Sequence, residues 1–93
     1  MKGEPALPPA IPGGWKIQLA AAPTRAAAEE ILDHALSIAQ TALASAMPYS
    51  EPVAVHGATL YRARFSGFAN QQAAKNACAY LVKRDFQCLA TSN

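Results

Sequence analysis

The stretch LYRARFSGF, residues 60–68, alternates between two kinds of side chain. Tyr61, Ala63 and Phe65 are apolar. The two positions between them hold arginines, and the flanking positions hold Leu60 and Ser66. Because successive side chains of a β-strand point to opposite faces of the sheet, this pattern predicts a strand with one face in a core and one face open. Gly67 is predicted to break the strand.

Upstream of this strand, the sequence predicts a hairpin and a long helix. A short strand around residues 53–56 and a turn at residues 57–59 form the hairpin. Before it, alanines and leucines recur at spacings of three and four from Arg25 to about Ala46. This stripe predicts an amphipathic helix that begins after an N-cap at Thr24 and is ended by Pro48.

The first strand and the last two elements complete the order. Residues 15–20 alternate and predict a strand whose apolar side chains enter the core. Asn70 is a suitable N-cap for a second helix over residues 71–84, and a final strand is predicted over residues 86–91. The order β-α-β-β-α-β predicts an α+β fold of the ferredoxin or RNP-like kind, a four-stranded antiparallel sheet with both helices on one face.

The two cysteines lie on predicted inner faces. Cys78 belongs to the apolar stripe of the second helix, and Cys88 is in phase with Phe86 and Ala90 of the last strand. We therefore expect the two thiols to face each other between helix and sheet, either as a disulfide or as two buried thiols. Two cysteines ten residues apart match neither a structural zinc site nor a CxxC redox motif, and no metal or cofactor is expected.

Composition divides the chain into two parts and excludes several classes of protein. Residues 1–14, MKGEPALPPAIPGG, form a predicted Pro/Gly-rich linker, and residues 15–93 form one predicted domain, so we expect a module of a longer protein. A net charge of +2 without a basic run argues against nucleic acid binding. No apolar stretch reaches the roughly 18 residues of a spanning helix, so membrane insertion is not expected.

Three segments resemble a known family. WKIQLAA (residues 15–21), LYRARFSGF (residues 60–68) and NACAYLVKRDFQCLA (residues 76–90) resemble the first strand, third strand and closing helix–strand of SPOR (sporulation-related repeat) domains, in the same order. The resemblance covers residues 15–92. The chain departs from the family in its longer predicted first helix and in Ala20–Ala22, where members more often have a Gly/Ser-aromatic exit.

The resemblance implies a function and a location. SPOR domains bind peptidoglycan glycan strands stripped of their stem peptides, which accumulate at the division septum, so a monomeric periplasmic module at the septum is expected. Many members carry a helix–strand cysteine pair like Cys78 and Cys88. The chain also resembles the module at the C-terminus of some bacterial D-alanyl-D-alanine carboxypeptidases, which implies an attached enzyme whose active site lies outside this sequence.

Side chains on the predicted open face suit such a glycan. Removing the stem peptide leaves a lactyl carboxylate on each muramic acid unit, for which arginine forks are suited, while glutamine amides match acetamido and hydroxyl groups. The resemblance marks the glutamine of the first strand as a ligand contact. The predicted glycan-binding residues are Gln18, Leu60, Arg62, Arg64, Gln87 and Leu89.

Catalysis finds no support in the sequence. His34 and His56 have no nucleophile arranged around them, and the serines belong to no GxSxG or SxxK motif. An RRM-like RNA binder shares the strand order, but Tyr61 and Phe65 fall in the core phase and the RNP1 pattern is absent. A protein-binding module of the same fold stays open as an alternative.

Overall fold

The computed structural model describes residues 14–92, so the predicted linker, apart from its last residue, lies outside the described part. The elements are β1 (Trp15–Ala22), α1 (Arg25–Ile38), β2 (Met47–Val55), β3 (Ala58–Phe68), α2 (Gln71–Val82) and β4 (Leu89–Ser92). The predicted order β-α-β-β-α-β is confirmed.

The strands form one antiparallel sheet in the order β2-β3-β1-β4. The two central strands are therefore the first and the third, which carry the alternating patterns that the sequence shows most clearly. Both helices pack on the same face, where Ile17 and Phe65 are paired across β1 and β3 and are fully buried. Helix residues Ala28, Ala35, Ala74 and Leu81 close this core from the other side.

A β-bulge changes the phase of β1 halfway along the strand. Gln18 pairs with Arg64 and Ala20 pairs with Ala63, so Leu19 is an extra residue on β1. Strict alternation predicted Ala20 to lie on the open face, and that prediction is wrong because the bulge shifts the later residues by one position. As a result, Ala22 is buried at the end of the strand.

A second irregularity lies at Gly67, which was predicted to break β3. The strand instead continues to Phe68, which is buried and pairs with Trp15. Ser66 pairs with Lys16, so Gly67 is the extra residue of a bulge. Its φ of 107° is readily adopted by glycine and strained for other residues. The bulge therefore explains why a glycine stands inside this strand.

Helix α1 is shorter than predicted. Thr24 is its N-cap, since its Oγ1 accepts a hydrogen bond of 3.0 Å from the Ala27 amide. The helix ends at Ile38, and turns follow in which Ala39 and Leu43 remain buried. Turns thus continue the apolar stripe beyond the helix, and for this reason periodicity alone placed the end too late, at about Ala46.

Strand β2 is longer than predicted and includes Pro48, which was predicted to end that helix. It spans nine residues and includes Pro48 and Pro52, whereas the sequence predicted only residues 53–56 as strand. Proline cannot donate to a neighbouring strand, so it is tolerated at the edge of a sheet, and β2 is an edge strand. The two prolines are four residues apart, so both can turn their nitrogen away from β3.

The hairpin turn lies one residue earlier than predicted. Val55 pairs with Ala58, so the loop consists of His56 and Gly57. Both have positive φ, 51° and 81°, as in the type I′ turn that matches the twist of paired strands. Ala58 and Thr59 accordingly belong to β3.

The closing helix and strand hold the predicted cysteine pair. Asn70 caps α2 by accepting a hydrogen bond of 2.8 Å from the Ala73 amide, and the helix ends at Val82 instead of Arg84. The last strand starts at Leu89, three residues later than predicted. Cys78 and Cys88 form a disulfide that ties α2 to the residue before β4, so the first of the two alternatives is confirmed.

We expect reduction of this disulfide to destabilise the domain. The cross-link closes a loop with a sequence separation of 10, and restricting so short a loop in the unfolded chain is worth about 2–3 kcal/mol. The melting temperature should therefore fall by roughly 10–20 °C in reductant or in Cys88→Ser. The double variant Cys78→Ser/Cys88→Ser is the control and should not respond to reductant. Equal melting temperatures for the parent with and without reductant would contradict the expectation.

Candidate functional site

We call the sheet surface opposite the helices the open face. Cross-strand pairing aligns four side chains in one row across it, from β2 to β4. They are Tyr49, Arg64, Gln18 and Leu89. Two predicted site residues, Gln18 and Arg64, are thus direct neighbours at the centre of the sheet.

Arg64 is the hub of this row. Its Nε donates a hydrogen bond of 2.9 Å to Oε1 of Gln18, and its Nη1 forms an ion pair with the carboxylate of Glu51. The side chain of Tyr49 is its third neighbour. Only 12% of the Arg64 side chain is exposed. The guanidinium is therefore held from three directions, and Glu51 compensates its charge.

The Tyr49 hydroxyl is part of the same network. Its burial raises the pKa above the ordinary 10.0, and the neighbouring Glu51 acts in the same direction, whereas the hydrogen bond and charge of Arg64 oppose the shift. Burial prevails, so the phenol stays protonated at neutral pH.

Arg62 lies in the next row, between Glu51 on β2 and Ala21 on β1. Within residues 14–92 it forms no ion pair, in contrast to Arg64. Leu60 follows one row further toward the hairpin turn, opposite Val53. Both predicted residues thus lie on the open face, and Arg62 supplies a positive charge whose facing carboxylate, Glu51, is paired with Arg64.

The other end of the site is a depression beside β4. Its volume is about 390 Å³. It is lined by Gln18, Gln87 and Leu89 together with Ala20 and Ala21 near the end of β1. Leu89 is 60% exposed, an unusual degree for a leucine. The depression therefore combines two amides and an apolar surface.

Five of the six predicted residues lie on the open face, from Leu60 near the hairpin to Leu89 on β4, and Gln87 precedes β4 and lines the depression at this edge. Sequence reasoning missed Tyr49 and Glu51, because the predicted second strand began only at Val53. The alternation of Tyr49, Glu51 and Val53 is the signal that could have identified them.

The remaining aromatic residues of the sheet lie on its helix side. Phe65 is buried, and the ring of Tyr61 lies 5.2 Å from the Arg25 guanidinium of α1. Trp15 packs against the core. The base-stacking arrangement of an RRM, with aromatic residues of the central strands on the open face, is therefore not formed by these side chains.

A second depression lies between α1 and the residues before β4. The His34 ring lies there, with its centroid 5.2 Å from that of Phe86. Within residues 14–92, no three His, Cys, Asp or Glu side chains are grouped so that they could hold a metal ion. None of the helices in the described part has the length and apolarity needed to span a membrane.

These features define a class, the β-α-β-β-α-β module with one helix-covered face and one open polar face. The SPOR domain family model matches residues 11–92, and the chain belongs to this family, as the resemblance indicated. Its structure is similar to the solution structure of the peptidoglycan binding domain of the B. subtilis cell wall lytic enzyme CwlC, with a TM-score of 0.60 and 18% identity over 85% of this chain and 87% of that chain. At this identity the likeness concerns the fold. Comparison with curated protein sequences gives no significant match.

The raised pKa of Tyr49 leads to a test of the network. The unfolded state releases the phenol proton near pH 10, before the folded state does, so stability is retained below that pH and decreases as pH rises further. The parent should lose more melting temperature than Tyr49→Phe between pH 9 and pH 11. Parallel pH profiles of the two proteins would show that Tyr49 titrates normally.

Proposed function

We propose that the chain is a non-catalytic module that binds peptidoglycan through its open face, and that its ligand is the glycan strand freed of stem peptides. Family membership supports peptidoglycan as the ligand, and the similar domain of CwlC is itself a peptidoglycan binding domain. The observation that carries the choice of face is the path of amide, cation and apolar side chains that crosses the sheet.

The chemistry of a stripped glycan matches this path. Its lactyl carboxylates require cations, and Arg62 offers a fork without a carboxylate partner in residues 14–92. Its acetamido groups require hydrogen-bond partners, which Gln18 and Gln87 provide. Leu60 and Leu89 offer apolar surface to the faces of the sugar rings. Arg64 contributes through its contact with Gln18.

The biological setting follows from the same proposal. A monomeric module that binds peptide-free strands would direct an attached cell-wall enzyme, such as a D-alanyl-D-alanine carboxypeptidase, to the septum in the periplasm. The active site of that enzyme would lie in the attached domain, and this module would target the enzyme to its site of action.

A protein-binding module is the second candidate. The exposed Leu89 and the depression beside it could receive an extended peptide as well as a sugar. RNA binding is disfavoured, since Tyr61 and Phe65 lie on the helix side of the sheet.

Co-sedimentation with sacculi tests the proposal. The purified domain should pellet with sacculi whose stem peptides an amidase has removed, and should pellet less with untreated sacculi. Equal binding to both preparations would refute the preference for stripped glycan. Failure to bind either would refute the proposed function and favour a protein partner.

Arg62 should carry the salt dependence of this binding. We expect Arg62→Gln to weaken binding about tenfold or more at low salt, because a hydrogen bond to a charged group contributes about 1.5–3 kcal/mol, and to flatten the decline of affinity with salt. Lys75→Gln is the matched control, because it removes the same charge from an exposed position on α2. Equal salt slopes for Arg62→Gln and the parent would exclude Arg62 from the site.

A further inference from the structure

The orientation of the Gln18 amide is fixed by its neighbour. The Arg64 Nε–H can only donate, so the Gln18 atom that lies 2.9 Å from it must be the carbonyl oxygen. The Nε2 group therefore points away from Arg64. Within residues 14–92 it has no acceptor, and Gln18 lines the depression beside β4. This side chain thus presents its two donor hydrogens, while one of the two lone pairs of its oxygen is already used by Arg64.

Arg64 itself is not free to act as a ligand cation. Glu51 and Tyr49 occupy the other sides of its guanidinium, and the side chain is largely buried. A ligand carboxylate would have to compete with Glu51 for a guanidinium whose charge is already compensated. The geometry is that of a support for Gln18, in which Glu51 fixes Arg64 and Arg64 fixes the amide.

We propose that Glu51 and Arg64 are positioning residues that hold Gln18 as a hydrogen-bond donor toward an acceptor oxygen of the ligand. The inference rests on the proposed function, since the ligand is the glycan, and it adds the direction of the central hydrogen bond. Two oxygens of the stripped strand have the required chemistry, the acetamido carbonyl and the lactyl carboxylate. A sugar hydroxyl that donates would find only the second lone pair of an oxygen that already accepts from Arg64.

The first test compares affinities for stripped sacculi. Gln18→Met removes the donor and should weaken binding about threefold to tenfold. Arg64→Lys keeps the charge and loses the fork that reaches both Gln18 and Glu51, so it should lose a similar factor. Both changes remove the same hydrogen bond between Gln18 and the ligand. The double variant should therefore bind no more weakly than Gln18→Met alone. The proposal would be overturned if the affinity losses of the two single variants multiplied in the double variant, or if Arg64→Lys bound as tightly as the parent.

Glu51→Gln separates a positioning role of Arg64 from a direct one. If Arg64 bound the ligand's carboxylate, removing its internal competitor would strengthen binding. If Arg64 positions Gln18, the looser pair should weaken binding by about twofold or more. Stronger binding by Glu51→Gln would therefore overturn the proposal. Glu30→Gln, the same change at an exposed position on α1, is the matched control, and melting curves establish that each variant is folded.

Side-chain NMR on ¹⁵N-labelled protein shows which N–H group contacts the ligand, and a purely structural role of Gln18 would leave its resonances unchanged on ligand addition. On addition of solubilised stripped glycan, the Gln18 amide resonances should shift while the Arg64 Nε–H resonance stays in place. Movement of Arg64 alone would overturn the proposal. Neutral N-acetylglucosamine oligomers distinguish the acceptors, since a Gln18 shift with these oligomers assigns the acetamido carbonyl and a shift with stripped glycan alone assigns the carboxylate.

The ligand-free spectrum separates failure of this inference from failure of the proposed function. If the parent binds no sacculi, the proposed ligand is wrong whatever the network does. In the same ligand-free protein, Arg64→Lys should shift the Gln18 amide resonances strongly and Arg62→Lys should not. Gln18 resonances that ignore Arg64→Lys would overturn the positioning role even if the parent binds stripped glycan.

Discussion

The structure depends on the register between the two central strands, β1 and β3. One register places Ile17 opposite Phe65 on the helix side and Gln18 opposite Arg64 on the open face. The apolar pair is fully buried under the helices, and a slip by one residue would exchange the faces of all these side chains. Burial of the core thus also fixes which polar groups meet on the open face, so the fold and the candidate site have one common cause.

An ion pair with one largely buried partner has a particular meaning in such a position. Desolvating Arg64 costs free energy that its contact with Glu51 offsets only in part, so the pair is weak as a source of stability. What it supplies is geometry, because a planar guanidinium with three partners leaves each partner few orientations. The polar network is therefore better understood as a means of orienting Gln18 than as a means of holding the sheet together.

Local chemistry explains which features the sequence predicted. Alternation in β3, the caps Thr24 and Asn70, and the facing of Cys78 and Cys88 each depend on a few neighbouring residues, and each is confirmed.

The errors have a different origin. Bulges at Leu19 and Gly67 are set by pairing between distant strands, and no local pattern reveals them. Pro48 was interpreted as a helix stop because its tolerance in an edge strand depends on which strand lies outermost. The same mistake hid Glu51 and Tyr49, so the network around Arg64 was not predicted, although its two central members were identified.

The prolines of β2 make the two edges of the sheet unequal as sites for an added strand. With nitrogens at positions 48 and 52 turned outward, two of the places where this edge would offer an amide hydrogen have none. An extended chain from another molecule would find an interrupted ladder along β2. At the opposite rim, β4 contains no proline in Leu89–Ser92. A further strand is therefore better accommodated at the β4 edge, next to Leu89 and the depression it borders.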